Sequence, residues 1–213
     1  MTRPGRFVSF EGIEGVGKST QVARLSENLA ARGIPHVVTR EPGGTPLAER
    51  IRDIVLQPLD EPLPATAELL LMFAARAVHL TNLVEPHLAS GRWVLCDRFT
   101  DATYAYQGGG RRLDENRIRQ LEIMVQGARG PELTVLLDAP VKEALERARQ
   151  RNAGAAADRF ESERAEFFER VRGAYLARAA TEPARIAVLD ARQPVEILAA
   201  QILNLIEART WIS

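Results

Sequence analysis

Apolar residues recur along the chain with two alternating spacings, which predict strands and helices in turn. Short apolar runs bounded by turn residues are typical of buried strands. These runs are residues 6–10, 36–39, 93–96, 133–137 and 186–189. Between them the apolar positions follow a helical spacing, in residues 18–32, 46–56, 65–90, 114–125, 141–151, 158–180 and 194–208. Strands that alternate with helices predict an α/β fold, with a five-stranded parallel sheet and helices on both faces.

Proline and glycine add boundaries to this pattern. Three prolines in residues 58–64 predict a connector ahead of the long helix over residues 65–90. Pro86 should end or kink that helix, because it lacks an amide proton and its ring clashes with the preceding turn. Asp114 has the side chain of a helix N-cap. Residues 152–157, mostly alanine and glycine, predict the tip of a loop or lid.

Composition limits the class of protein. A length of 213 residues fits one domain, which we assign to residues 1–213 with a lid segment at about residues 147–160. The 28 basic residues equal the 28 acidic ones, so no global charge favours nucleic acid or an acidic membrane as partner. The single cysteine excludes an intrachain disulfide. With no signal-like N-terminus and no run of ~18 uncharged apolar residues, we expect a cytoplasmic protein without a membrane partner.

Residues 12–19 read Gly-Ile-Glu-Gly-Val-Gly-Lys-Ser and match the phosphate-loop pattern G-x-x-x-x-G-K-[ST] between a predicted strand and a predicted helix. Glycines let successive amide groups point at phosphate oxygens, and the helix N-terminus adds positive charge. Lys18 should reach the β- and γ-phosphates, and the Ser19 hydroxyl should bind Mg²⁺. The predicted ATP contacts in this loop are Gly12, Ile13, Glu14, Gly15, Val16, Gly17, Lys18, Ser19 and Thr20.

The phosphate loop alone indicates only a P-loop NTPase. The strings Asn-Lys-x-Asp and Asp-x-x-Gly, expected of a GTPase, do not occur in the sequence. The residues leave two kinds of protein open. One is a P-loop kinase for a nucleoside monophosphate or for a nucleoside, and the other is a nucleotide-binding module without catalysis.

Four segments carry a more specific resemblance. They are residues 11–20, residues 39–45 (Thr-Arg-Glu-Pro-Gly-Gly-Thr), residues 97–99 (Asp-Arg-Phe) and residues 105–111 (Ala-Tyr-Gln-Gly-Gly-Gly-Arg). In order and spacing, over nearly the whole chain, they resemble bacterial thymidylate kinases. The resemblance implies a P-loop NTPase fold with a small Arg-rich lid, and transfer of the γ-phosphoryl group of ATP to dTMP with Mg²⁺. It also implies dTDP and ADP as products, a role in dTTP synthesis, and a homodimer.

The same resemblance implies which residues bind the acceptor phosphate. It points to Arg98 and Arg52, with Arg40 in support, and the forked guanidinium group suits phosphate. Glu14 is expected to organise Mg²⁺ and the phosphate-binding arginine, and Asp97 is a further candidate metal partner. Lys18, Glu14 and Arg98 are therefore the expected catalytic residues of the core site.

The base site is assigned by resemblance as well. Arg76 should hydrogen-bond thymine, and Thr103 and Gln107 match polar positions that contact the ring. Relatives place an aromatic ring four residues before the arginine; here Phe73 lies three before it and Met72 four. We favour Phe73 as the stacking residue, with Met72 as the alternative. Ala102 occupies a position where relatives often carry serine, and Tyr106 is a candidate to exclude the ribose 2′-hydroxyl.

Arginines cluster ahead of the predicted lid tip. In relatives with glycine at the position of Gly15, a lid arginine replaces one that others carry in the phosphate loop. Either Arg149 or Arg151 is expected to act on ATP in this way, and Glu161 is a further candidate to reach the metal or the lid. The adenine pocket is expected near Arg192.

Overall fold

The computed structural model describes residues 5–151, 159–160 and 163–212. Its five strands are β1 (Phe7–Glu11), β2 (His36–Arg40), β3 (Trp93–Asp97), β4 (Leu133–Asp138) and β5 (Ile186–Asp190). All pair in parallel, in the order β2-β3-β1-β4-β5. The predicted five-stranded parallel sheet is thereby confirmed.

The helices follow the predicted segments closely, with one addition. They are α1 (Lys18–Ala31), α2 (Pro46–Leu56), α3 (Ala65–His79), α4 (Glu85–Ala89), α5 (Thr100–Thr103), α6 (Glu115–Gln126), α7 (Val141–Arg151), α8 (Ala165–Thr181) and α9 (Val195–Glu207). Two π-helical segments, π1 (Leu80–Val84) and π2 (Tyr104–Gly110), continue α3 and α5. The predicted N-cap at Asp114 is confirmed, because its side chain accepts a hydrogen bond from the Asn116 amide.

The two faces of the sheet bury different helices, because successive side chains of a strand point to opposite sides. Val8 and Phe10 of β1 belong to the main apolar cluster, which includes α1 and α9 residues such as Val22 and Ile202. Phe7 points the other way, into a cluster with Leu80 of π1. Helices therefore cover both faces, as the pattern predicts.

The long predicted helix is interrupted earlier than expected. The irregular segment π1 begins at Leu80, whereas Pro86 lies in the first turn of α4, where its missing amide costs little. The run Ala65–Ala89 is long and apolar enough to cross a membrane, but half of its most apolar window is buried inside the protein. A core helix has these properties, so the run gives no support for a membrane span.

The helical run α5–π2, residues 100–110, was not predicted from the sequence. Its last three residues are glycines, which disfavour helix by about 1 kcal/mol each. Packing explains the structure: a Cβ added to Gly109 would lie 2.6 Å from the Cβ of Ala174 on α8. The helix predicted over residues 158–180 starts later, at Ala165, with Arg159 and Phe160 in a turn and residue 158 outside the described residues.

Candidate active site

The phosphate loop joins β1 to α1 and is packed too closely for side chains at two positions. A Cβ on Gly12 would lie 2.3 Å from the carbonyl oxygen of Leu137, and one on Gly15 would lie 1.9 Å from that of Ala144. Both residues also have a positive φ, of 130° and 79°. Glycine is therefore required here, and α7 lies directly against the loop through Ala144.

Lys18 is the central cation of this loop. Its ammonium group is buried and donates hydrogen bonds to the carbonyl oxygens of Gly12, at 3.1 Å, and Ile13, at 2.9 Å. Burial, together with the positive charge of Arg98, lowers the pKa of Lys18 to about 8. A phosphate group that approached the loop would add negative charge beside this cation and favour its charged form.

Two expected metal ligands meet at the start of α1. The Ser19 hydroxyl donates to Oδ2 of Asp97 at 3.1 Å, which joins the phosphate loop to the end of β3. Glu14 does not join them, because its carboxylate is bound to Arg98 and Tyr106. Within the described residues, no three His, Cys, Asp or Glu side chains cluster as a metal site.

Arg98 connects the phosphate loop to the acceptor side of the cleft. It has a positive φ of 70°, a strained conformation for a residue with a side chain. Its guanidinium group donates to the Gly12 carbonyl oxygen at 2.8 Å and to Oε1 of Glu14 at 2.8 Å. The same group lies 4.8 Å from the centre of the Tyr106 ring. Its position is thus fixed from several sides before any substrate binds.

Tyr106 completes this group from π2. Its hydroxyl donates to Oε2 of Glu14 at 2.8 Å, so both carboxylate oxygens of Glu14 are bonded. The ring packs edge-on against Phe160 and Tyr175. The hydroxyl of Tyr175 in turn donates to Glu11 at 2.7 Å, a buried carboxyl whose pKa is raised to about 8 by burial and by the nearby Asp101.

A cavity opens beside Arg98, between the phosphate loop, α3 and the α5–π2 run. Its lining residues are Glu14, Glu41, Pro42, Arg52, Leu56, Met72, Arg98, Ala102, Tyr106, Gln107 and Phe160. Four of the expected acceptor-binding residues are therefore brought together, namely Arg52, Arg98, Tyr106 and Gln107. Arg52 is oriented by a hydrogen bond of 2.8 Å to the carbonyl oxygen of Pro42.

The geometry of α3 favours Met72 over the expected Phe73 as the residue that faces the cavity. Met72 lines the cavity, whereas Phe73 is only 2% exposed and packs with Leu69, Tyr104 and Ile118. Neighbouring residues of a helix point about 100° apart, so only one of the two can face the cavity. The alternative, Met72, occupies the cavity side of α3.

Arg76 and Gln107 each present one unused polar atom. Arg76 donates from Nε to Oε2 of Glu41 at 2.7 Å and from Nη2 to the Thr103 hydroxyl at 2.9 Å. Its Nη1 is buried without a hydrogen-bond partner in the described part of the chain, and so is Oε1 of Gln107. Nε2 of Gln107 donates to Glu68 at 2.8 Å. Among the described residues, Arg76 thus has one free donor and Gln107 one free acceptor, and Nη2 of Arg111, whose Nε bonds Glu68, is a further free donor.

The remaining predicted residues lie further out. Arg40 is 54% exposed and pairs with Glu49 at 3.0 Å, and it lines a neighbouring groove with Ser19 and Asp97 instead of the cavity around Arg98. Arg192 is exposed and forms a two-bond pair with Asp190, each bond 2.9 Å long.

The lid residues are described only in part. Arg149 and Arg151 are exposed in the last turn of α7, the helix that contacts Gly15. Residues 152–158, which include the predicted lid tip, and Glu161 lie outside the described residues.

Sequence reasoning missed three residues of the site. Phe160 lines the cavity, Glu41 accepts from Arg76, and Glu68 is fully buried on α3. A usable signal existed for Glu68, since an acid among the apolar residues of a core helix needs a partner. Phe160 gave no such signal, because it is distant from the rest of the site in sequence.

Comparison with known proteins gives one consistent result. The sequence profile of a family described as Thymidylate kinase matches residues 10–202. Proteins named Thymidylate kinase from Chromohalobacter salexigens and Teredinibacter turnerae are 60% and 54% identical, over 93% and 96% of this chain and 93% and 98% of their own lengths. The crystal structure of thymidylate kinase from Ehrlichia chaffeensis is similar with a TM-score of 0.76 at 30% identity, covering 96% of this chain and 100% of that one.

Proposed function

This chain belongs to the thymidylate kinase family and phosphorylates dTMP to dTDP with ATP, and we propose that the transfer takes place in the cleft between the phosphate loop and the α5–π2 run. No covalent intermediate is needed, since positioning and charge carry phosphoryl transfer. The phosphate loop binds ATP on one side of Arg98, and the cavity lined by Arg52 and Gln107 binds dTMP on the other.

The free polar atoms of Arg76 and Gln107 carry the assignment of the base. Nη1 of Arg76 is a donor and Oε1 of Gln107 is an acceptor. Thymine presents the complementary pair, an acceptor at O4 and a donor at N3. Cytosine presents the reverse pair at the same edge, so it would leave both protein atoms unpaired. Such unpaired buried groups are costly.

The acceptor phosphate is assigned to Arg98 and Arg52. Both line the cavity, and both are held by backbone carbonyl oxygens, those of Gly12 and Pro42. Arg98 also contacts the phosphate loop, so it is placed to meet negative charge that develops between the two phosphates. Arg40 is proposed to act only indirectly, because Glu49 binds it outside the cavity.

Mg²⁺ fits the pair formed by Ser19 and Asp97. These side chains offer two oxygens 3.1 Å apart at the end of the phosphate loop, and Mg²⁺ is typically held by one or two protein oxygens together with water and substrate phosphates. When bound, the ion neutralises phosphate charge during transfer. Glu14 is proposed to position Arg98 and Tyr106 instead of binding the metal directly.

Met72 is proposed as the side chain that faces the base, with Phe160 and Tyr106 on the other walls of the cavity. A thioether chain is apolar and adaptable, and it contacts ring systems favourably. Phe73 supports this face from behind, since the Arg76 guanidinium lies 4.9 Å from the centre of its ring. Tyr106 is proposed to restrict the ribose, as expected from the sequence.

ATP is proposed to gain further cations from the end of α7. The close contact of α7 with Gly15 leaves no room for a side chain in the loop, which supports a role for Arg149 or Arg151 at that end. Adenine is proposed to lie near Arg192. The chain is further proposed to form one kinase domain, with its lid at about residues 147–160. The enzyme is proposed to be cytoplasmic.

A homodimer is proposed through the outer surface of α2, α3 and α6. α3 packs against both of the other helices. Large apolar side chains are exposed along them, namely Leu47, Ile54, Leu70, Ile123 and Met124. Ile123 and Met124 are 60% and 78% exposed, which is costly for side chains of this size unless another surface covers them.

The assignment is tested by ADP release from Mg·ATP with dTMP, dUMP, UMP, dCMP and dGMP as separate acceptors. We expect strong turnover with dTMP and the least with dCMP among the pyrimidine deoxynucleotides, because dCMP reverses the donor and acceptor pattern. Preferred turnover with dCMP would contradict the assigned roles of Arg76 and Gln107. Absence of turnover with every acceptor would contradict the kinase assignment.

A further inference from the structure

Glu68 is a buried carboxylate that is not among the residues lining the proposed dTMP cavity. It lies on α3 with no exposed surface. Four hydrogen bonds from described residues reach its carboxylate. Nε2 of Gln107 donates at 2.8 Å, Nε of Arg111 donates to the two oxygens at 3.3 Å and 3.2 Å, and Nη2 of Arg159 donates at 2.5 Å. The structure therefore places a fully bonded acid immediately behind the amide of Gln107.

The surrounding cations explain how the acid is tolerated. Burying a carboxylate is costly unless charged hydrogen bonds compensate it, and Arg111 and Arg159 supply two guanidinium groups. Arg159 is itself fixed to the end of α2, because its Nε donates to the Val55 carbonyl oxygen at 2.8 Å. Glu68 is thus held in place by groups outside the cavity.

An ionised carboxylate accepts hydrogen bonds and donates none, whereas a glutamine amide has one end of each kind. Glu68 can therefore bond only to the NH₂ end of Gln107. The oxygen end, which has no partner among the described residues, must then lie on the other side of the amide, and Gln107 lines the cavity. Rotation of the amide by 180° would set two acceptors against each other.

We propose that Glu68 is a positioning residue that fixes the Gln107 amide with its oxygen toward the cavity and thereby selects acceptors whose base carries a hydrogen-bond donor at that edge. The inference rests on the proposed dTMP site. It adds that the selection is set by a residue that never contacts the base. Thymine and uracil meet this requirement at N3, and cytosine does not.

The test is the ratio of kcat/KM for dTMP to that for dCMP in the variant Glu68→Gln. A glutamine at position 68 can accept from or donate to Gln107, so the amide orientation is no longer imposed. We expect the ratio to fall by about tenfold or more, a size typical of one buried polar mismatch. A Glu68→Gln ratio within about twofold of the wild-type ratio would overturn the inference.

A matched control separates this effect from lost stability. Asp101 is also buried between two arginines, with bonds of 2.7 Å from Nε of Arg178 and 2.7 Å from Nη1 of Arg185. No hydrogen bond joins it to Gln107 in the described part of the chain. Asp101→Asn should lower the melting temperature as Glu68→Gln does, yet keep the acceptor ratio within about twofold. If Asp101→Asn lowers the ratio of kcat/KM for dTMP to that for dCMP as much as Glu68→Gln does, destabilisation alone reduces acceptor selectivity. That result would overturn the inference.

A double-variant cycle asks whether Glu68 acts through Gln107. If it does, Glu68→Gln should change the ratio by less than about twofold once Gln107 is alanine, since the amide is absent. Independent, multiplicative effects of the two changes would contradict the inference. Wild-type enzyme with no preference for dTMP over dCMP would instead overturn the proposed base site, and this inference with it.

A second measurement uses the unaltered protein, in case Glu68→Gln does not fold. In isotope-labelled wild-type enzyme, the side-chain NH₂ of Gln107 should show one slowly exchanging proton without substrate, because Glu68 binds it. Adding dTMP should shift the side-chain carbonyl carbon and leave that proton in place. Fast exchange of both protons before dTMP is added, or their slowing only on binding, would contradict the inference.

Discussion

At the scale of single residues, adjacent positions of α3 have different tasks. Met72 lines the cavity, and Phe73 fills the core between α3, α6 and π2. The sequence leaves this choice open, because both residues lie within one helical turn of Arg76 and both are apolar. Only the direction in which α3 presents its cavity face decides between them.

Replacing each of these two residues by alanine should separate binding from stability. Phe73→Ala removes a buried ring and should cost about 3–5 kcal/mol of unfolding free energy. Met72→Ala should cost less stability and should raise KM for dTMP by about tenfold, because the base loses an apolar wall. Denaturant unfolding and steady-state kinetics measure both effects. A larger rise in KM from Phe73→Ala, with the protein still folded, would restore Phe73 as the residue against the base.

Glu11 gives the clearest pH dependence of stability. Its pKa is raised from 4.5 to about 8, by burial first and by Asp101 second, so the folded state keeps a proton that the unfolded chain has released. This contribution to stability is complete below pH 4.5 and is lost as the pH rises through about 8.

Glu11→Gln removes this titration. The unfolding free energy of Glu11→Gln minus that of wild type should therefore rise by about 1.4 kcal/mol for each pH unit between pH 4.5 and about 8. Denaturant unfolding at several pH values between these limits measures the difference. Parallel pH profiles for the two proteins would show that Glu11 is already ionised when folded.

At the scale of elements, the sequence predicts regular segments well and irregular ones poorly. The phosphate loop and the parallel sheet were predictable because each has a strong local pattern. The α5–π2 run was not, since its three glycines disfavour helix and its shape depends on contact with α8. That run carries Thr103, Tyr106 and Gln107, so their roles came from resemblance and not from any predicted element.

Gly109→Ala tests the packing of π2 against α8. The added methyl group would lie 2.6 Å from Cβ of Ala174 and 3.0 Å from the Arg170 carbonyl oxygen, so π2 must shift. We expect a loss of about 1–3 kcal/mol in stability and a loss of dTMP turnover, because Gln107 moves with π2.

Gly173→Ala, within α8, is the matched control. No atom of the described residues lies within 4 Å of its added methyl group, and alanine favours helix by about 1 kcal/mol. It should leave turnover unchanged and raise the melting temperature. Equal stability and equal dTMP turnover of the two variants would show that the contact between π2 and α8 does not determine the position of Gln107.

At the scale of the whole molecule, the sheet brings several parts of the site to the carboxyl ends of its strands. The phosphate loop follows β1, Arg40 ends β2 with Glu41 next to it, and Arg98 follows β3. Parallel sheets bind ligands at these carboxyl ends. This convergence was predictable from the strand pattern. The pairing of Glu68 with Gln107 was not, because the two residues are 39 positions apart and meet only after α3 packs beside π2.

The proposed dimer surface is tested by Met124→Asp. A charge at this exposed position of α6 should dissociate the dimer, since a desolvated carboxylate is costly. Analytical ultracentrifugation should show a shift to monomer. Val188→Asp, at a 45% exposed position of β5, should leave the dimer intact. A wild-type monomer, or a dimer unaffected by Met124→Asp, would contradict this surface.

The most direct test of the central assignment is a competition assay with ATP labelled at the γ-phosphate. Equal amounts of dTMP and dCMP are offered to wild-type enzyme with Mg²⁺, and the labelled diphosphates are separated and counted. We predict that the label appears in dTDP, with at most about 1% in dCDP, because dCMP leaves the free atoms of Arg76 and Gln107 unpaired. Comparable labelling of both products would contradict the account of the base site, and labelled phosphate without either product would contradict the kinase itself.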